Sequence, residues 1–241
     1  MVVVAAVAAV GFLVLSGAQK AYACSIQWEP SPTASPAPGA TPRLGYVVPD
    51  LGRSHVAVGT IVRYTICPPA SGEHYTAAGA GPIQPKVYGP EDDALPEGWI
   101  HNLEHGALVV LYRCPGDACT DAGQTAFKQF FATFPVSPIC AIPPARLSPV
   151  IARFDDMKFP IAAIVWDEIL PLQTFDQAQI LAFFNQQAER TNPEQQCALP
   201  SASPAPAAPS ASPEPSGSAA APSGSAAPSG SAAPAGSAAP S

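Results

Sequence analysis

The sequence predicts a single small α+β domain, with a mixed or antiparallel sheet and two helices, flanked by a signal segment and a disordered tail. Three observations carry this. Segments with the alternation or the β-branched continuity of strands recur between positions 55 and 166. Two later segments, around Phe127 and Ile180, carry the helical period instead. Both ends of the chain have compositions that cannot build a core.

The segment 1–23 reads as a signal peptide or membrane anchor. Residues 2–18 are apolar or small, and Ala21-Tyr22-Ala23 is a small-x-small cleavage signal before Cys24. No Lys or Arg precedes the run, which is nearly long enough to stay as a membrane anchor. Cys24 directly after the cleavage point raises a lipoprotein reading, although Ala21 stands where a lipobox has Leu. Export is therefore expected, to the cell surface or beyond it, with an N-terminal membrane tether as the alternative to release. Residues 24–41 read as a Pro-rich linker and 42–199 as the extracytoplasmic domain. From Ser201 onward only Ala, Pro, Ser and Gly occur, apart from Glu214, so 200–241 reads as a low-complexity disordered tail. The net charge of −7 argues against nucleic acid and anionic membrane surfaces as partners.

Within the domain, His55–Ile66 reads as a strand with Val62, Tyr64 and Ile66 on one face and Ile61, Arg63 and Thr65 on the other. Pro68 and Pro69 end it. A long Gly/Pro-rich connection, 70–98, follows and reads as a functional loop. Ala107–Tyr112 is continuously apolar, as expected of a strand buried on both faces. Phe127, Phe130, Phe131 and Phe134 place an aromatic stripe on a helix that Pro135 stops. Val150–Phe154 and Ile161–Trp166 are further strands. Thr174-Phe175-Asp176-Gln177 forms a capping box for a last helix, which Asn192-Pro193 closes.

Six cysteines in an exported chain are expected to be mostly oxidised. Cys114-Pro-Gly-Asp-Ala-Cys119 looks like a local clasp. Cys67, Cys140 and Cys197 offer a second bridge, with Cys24 taking up the odd one. A rival reading makes Cys67 a metal ligand, seven residues before His74.

All four histidines, His55, His74, His101 and His105, fall within a short stretch of sequence. Imidazole is the commonest ligand for Zn²⁺ and Cu²⁺. His101 and His105 stand at i and i+4, so one helical turn would aim both at a shared metal, with Glu104 as ligand, general base or outer hydrogen-bond acceptor. The four histidines are the candidate metal ligands, for Zn or Cu. His-x-x-Glu-His is also the inverted-zincin motif, which would make Glu104 the base of a metal-dependent hydrolase; the context differs, because Gly106 interrupts the run and a strand follows. A third reading is a metal-free surface interaction module, in which the histidines are loop hydrogen-bond partners and Glu104 pairs with Arg63, Arg113 or a backbone N–H. Ser71 and His74 with Asp92 or Asp93 invite a nucleophile–base reading, but no Gly-x-Ser-x-Gly elbow is present.

Tyr64 followed by Pro68-Pro69-Ala70-Ser71-Gly72-Glu73-His74-Tyr75 resembles the Tyr…Pro-Pro-Thr-Ser-Gly-Pro-His-Tyr segment of the bacterial family known as domain of unknown function 3105. His101-Asn102-Leu103-Glu104-His105-Gly106, with the apolar strand ending at Tyr112, is similar to its second signature, and Ala163–Trp166 through Pro193-Glu194 to its C-terminal part. Ala70 and Glu73 depart from that pattern, where Thr and Pro are expected, as do the extra cysteines. The resemblance implies an extracytoplasmic domain behind an export or membrane segment. It implies no reaction.

Overall fold

The structure, a computed structural model, describes residues 22–31, 42–136 and 148–195. Residues 1–21 of the predicted signal segment, residues 32–41 of the predicted linker, Cys140, Cys197 and the predicted tail lie outside the described residues. The elements in chain order are β1 (Tyr22–Gln27), β2 (Tyr46–Val47), β3 (His55–Val56), β4 (Val62–Cys67), β5 (His74–Tyr75), α1 (Pro96–Glu104), β6 (Val109–Tyr112), α2 (Asp121–Ala132), β7 (Val150–Arg153), β8 (Ile161–Val165), β9 (Glu168–Leu172) and α3 (Gln177–Gln187).

Five strands form a mixed sheet in the order β2-β9-β8-β6-β7. The β6–β7 pair is parallel, and the β6–β8, β8–β9 and β2–β9 pairs are antiparallel. β6 is interior, as its apolar run implies, and all four of its residues are buried. Its alternate side chains feed two cores. Val109 and Leu111 meet Trp99, Ile100 and Leu103 of α1 and Val62, Tyr64 and Ile66 of β4. Val110 and Tyr112 meet Phe127, Phe130 and Phe134 from the α2 segment and Ile180, Phe183 and Phe184 of α3. The sheet is thus covered on both faces, by α1 and β4 on one and by α2 and α3 on the other.

The α+β class holds, with three helices among the described residues instead of two. The added helix, α1, ends the connection predicted to be a loop, and that connection also contains β5. The predicted strand 55–66 divides into β3 and β4 around a turn. β4 keeps the expected alternation, with Val62, Tyr64 and Ile66 buried. The cap of α3 is Asp176, which accepts from Gln179 N, and not Thr174. β9 completes a hairpin with β8 through Asp167, which adopts φ 56°.

Two disulfides are formed among the described cysteines, and both fit an oxidising compartment outside the cytoplasm. Cys114–Cys119 is the expected clasp. Cys24–Cys67 joins β1 to β4, so Cys67 is not a metal ligand and its Cys24 partner sulfur is not available for thioether lipidation. The linker therefore begins with structure. β1 pairs with β4 in parallel from Tyr22↔Val62 to Gln27↔Cys67. The Tyr22 ring stacks on Phe154 at 5.5 Å, and its hydroxyl donates to Asp156 Oδ2 at 2.9 Å. The described structure thus includes Tyr22 and Ala23, at the end of the predicted signal segment, and residues 24–31 of the predicted linker. No helix of the described residues is long and apolar enough to cross a membrane.

Candidate metal centre

Three short elements on the α1 face bring the site together. β3 and β5 pair in parallel with His55 opposite His74, which sets their rings side by side at 4.8 Å. α1 supplies His101 and Glu104 in its last turn. His55, His74, His101 and Glu104 each offer one ligand atom, and all four atoms lie within 4.8 Å of one another. This His₃–Glu group can hold a metal ion. His74, His101 and Glu104 are buried; His55 closes the group on the solvent side, with 41% of its side chain exposed.

α1 exists here for reasons that are local. Pro96 opens it at the first helical position, where a missing N–H costs nothing. A Schellman motif closes it. His105 is the C-cap, Gly106 follows at φ +84°, Gly106 N donates to Leu103 O, and Ala107 N donates to Asn102 O. Every residue of the helix is buried, so its polar side chains must find partners inside the protein. Asn102 does so through Ile83: its Oδ1 accepts from Ile83 N at 3.0 Å and its Nδ2 donates to Ile83 O at 2.9 Å.

The imidazoles are oriented by backbone carbonyls. His74 Nδ1 donates to Gly72 O at 2.7 Å, and His101 Nδ1 donates to Tyr75 O at 2.6 Å. A carbonyl only accepts, so both Nδ1 atoms carry hydrogen, and in the neutral ring each Nε2 is a lone pair. His74 Nε2 stands 3.0 Å from Glu104 Oε2, and His55 Nε2 stands 3.4 Å from the same oxygen. A lone pair facing a carboxylate needs a proton or a cation between them. Burial holds His101 below the ordinary histidine range; Tyr75 O and Glu104 act against that, and His74 and His105 act with it.

His105 is not in the group. Its ring stacks on His101 at 4.9 Å, and its Nδ1 lies 3.3 Å from Glu194 Oε2. The position beyond the helix end turns it aside, and Glu104 takes the place that the i, i+4 spacing assigned to it. The inverted-zincin geometry is therefore not reproduced, since one histidine of the motif is outside the group and the glutamate is inside. Glu104 pairs with His55 and His74, whereas the Arg113 guanidinium donates to Met157 O. The Ser71–His74 dyad is also absent. Ser71 Oγ accepts from Leu51 N at 2.9 Å, and both His74 nitrogens are engaged elsewhere. Asp92 accepts from Gly89 N.

Two carboxyls near the site escaped sequence reasoning. Glu97, one turn before His101, is fully buried, and neither oxygen makes a full hydrogen bond. Burial pushes its carboxyl up to about 7, with weak opposition from backbone groups of Glu97 and Val62. Asp167 adjoins Trp166, whose ring stands edge-on to His74 at 6.4 Å. Burial pushes Asp167 up to about 6, and Ser71 and Trp166 as side-chain donors act against it. The backbone bond from Asp167 N to Ala70 O ties this turn to the loop leading to His74. A cleft of about 650 Å³, lined by Arg113, Phe127 and Phe175, lies beside the Cys114–Cys119 clasp, on the α2 side of the sheet. It gathers no set of metal-ligating side chains among the described residues.

No curated protein matches the chain, and no solved structure does. A family model matches residues 55–200, which span β3 to α3 and all four residues of the group. The two histidine segments and the fold around them belong to one family pattern, and the chain is a member of the family described as protein of unknown function, DUF3105.

Proposed function

We propose that this is an extracytoplasmic metal-binding domain that holds one Zn²⁺ or Cu²⁺ ion through His55, His74, His101 and Glu104. The observation that carries the reading is that two carbonyl-fixed imidazoles, His74 and His101, join His55 and Glu104 in one group whose ligand atoms all lie within 4.8 Å of one another. Outer carbonyls that fix the Nδ1–H tautomer are the usual support of metal-ligating histidines. Three nitrogens and one carboxylate oxygen suit Zn²⁺ or Cu²⁺, and Met157 is the only methionine between Tyr22 and Ser241, which disfavours a thioether Cu(I) site. Tetrahedral bonds of about 2.0–2.1 Å put ligand atoms about 3.4 Å apart. The His74–Glu104 and His55–Glu104 pairs, at 3.0 and 3.4 Å, lie near that spacing, and a pair at the 4.8 Å limit of the group needs about 1.4 Å of contraction. The two disulfides, one of which ties β1 to β4, support a location outside the cytoplasm.

The hydrolase alternative receives less support, because Glu104 stands among the ligands and not apart from them as a base. The metal-free alternative makes the same imidazole–carbonyl bonds purely structural. Elemental analysis separates it from the metal reading. The full chain, expressed with oxidised cysteines and loaded with Zn²⁺ or Cu²⁺, is expected to retain one equivalent. His74→Ala and Glu104→Gln should each lose it, while His105→Ala should keep it. Failure of the loaded wild-type chain to retain metal would refute the proposal.

A further inference from the structure

We propose that the turn after α3, Glu189–Glu194, is a positioning element of the metal centre, with Glu194 as the residue that locks the ligand-bearing end of α1. The inference rests on the metal reading above and extends it to residues that touch no ligand atom of the group.

The last four carbonyls of an α-helix lack partners within it, and the last turn is the first to fray. In α1 that turn carries two of the four ligands. Three of its carbonyls are satisfied locally: His101 O by His105 N, Leu103 O by Gly106 N and Asn102 O by Ala107 N. The fourth, on Glu104 itself, accepts from Glu194 N at 3.2 Å. A single donor from a distant segment thus completes the cap of the residue whose carboxylate sits between His55 and His74.

Glu194 grips the same turn a second time through its side chain, since Oε2 lies 3.3 Å from His105 Nδ1. His105 in turn lies flat against His101, with an interplanar angle of 20°. His101 also stacks with His55, at 5.3 Å and 21°. Two rings therefore pack against His101, and Glu194 sets one of them. The turn is itself braced: Asn192 Nδ2 donates to Glu194 O at 3.0 Å, and Gln195 Nε2 donates to Glu189 O at 3.0 Å. It also fits closely over Gly106. A Cβ at Gly106 would lie 2.5 Å from Glu189 Oε1 and 3.0 Å from Asn192 Nδ2, so that position is closed by packing as well as by its φ. His105, left out of the ligand group, thereby acquires a role as the link between Glu194 and His101.

Co²⁺ binding to the full chain, followed by its visible absorption bands, tests this. Glu194→Gln removes the charge from the His105 contact and keeps the backbone donor. Glu194→Pro removes the donor to Glu104 O. Glu194→Asp is the conservative control. The expected results are a several-fold rise in the Co²⁺ dissociation constant for Glu194→Gln, a rise of about tenfold or more for Glu194→Pro, and near-wild-type binding for Glu194→Asp. Changed band shapes should accompany both losses, since the geometry and not only the amount of folded chain has changed. Thermal unfolding of the metal-free variants should move by only a few degrees. Wild-type affinity and band shape in both Glu194→Gln and Glu194→Pro would overturn the positioning role and leave the metal reading intact. A wild-type chain that binds no Co²⁺ would overturn both.

Discussion

On one face of the central sheet, α2 and α3 pack Phe127, Phe130, Phe183 and Phe184 into an apolar core, and the only buried polar side chains of these two helices are the uncharged Gln124 and Gln187. On the other, α1 is buried as deeply, yet it carries Glu97, His101, Asn102 and Glu104 out of water. Burying polar groups is unfavourable unless each is paired, and a helix needed only to cover a sheet would not contain four. The contrast separates the two tasks of the domain. The α2/α3 face supplies cohesion by apolar burial, and the α1 face gives up some of that cohesion to hold a His₃–Glu group in a fixed geometry.

The sharpest way to break this comparison is to damage each face and read both properties. Phe183→Ala should lower folding stability by about 3–5 kcal/mol, read by urea denaturation of the metal-free chain, with metal affinity of the folded fraction unchanged. His74→Ala should do the reverse on the affinity axis, weakening Zn²⁺ or Cu²⁺ by roughly a hundredfold or more by chelator competition, since losing a ligand should cost at least as much as losing its outer partner. If Phe183→Ala and His74→Ala moved both properties alike, the division of labour would be wrong.

A second, smaller effect concerns pH. The Glu97 carboxyl is pushed from its ordinary 4.5 up to about 7 in the folded chain. The folded state therefore binds more protons than the unfolded state between those values, so stability should fall as pH rises through that window and level off above it. Glu97→Gln should flatten this slope and be more stable than wild type at pH 8 by on the order of 2 kcal/mol. Urea titrations in chelator at pH 5 and pH 8 check this, and identical slopes for the two chains would count against a costly buried acid on the α1 face. The smallest expected effect lies on the other face. Thr120 Oγ1 accepts from Gly123 N at the start of α2, and Thr120→Ala should cost about 1 kcal/mol at any of these pH values.

The two faces also differed in how far they could be read from sequence. α2 announces itself because one side packs and the other is wet, which imprints the helical period on Phe127, Phe130 and Phe134. β6 is legible because burial on both faces leaves a continuous apolar run. α1 has no such period, since all its sides are buried; its signals were Pro96 at the start and Gly106 at the end, the N-terminal Pro and C-terminal Gly of a helix. β2, β3 and β5 are two residues long, too short for any alternation. Three of the four crowded histidines do come together in space, in the His₃–Glu group. Its membership depended on two things that spacing does not encode: the register that sets His55 beside His74, and the helix end that turns His105 toward Glu194 and leaves Glu104 inside.

X-ray absorption at the zinc edge of the Zn²⁺-loaded full chain tests the central claim most directly. One ion per chain is expected, with nitrogen and oxygen scatterers at about 2.0–2.2 Å, multiple-scattering features of about three imidazoles, no sulfur shell, and loss of one imidazole in His55→Ala. A sulfur shell at about 2.3 Å, or a spectrum of hydrated zinc without imidazole, would contradict it.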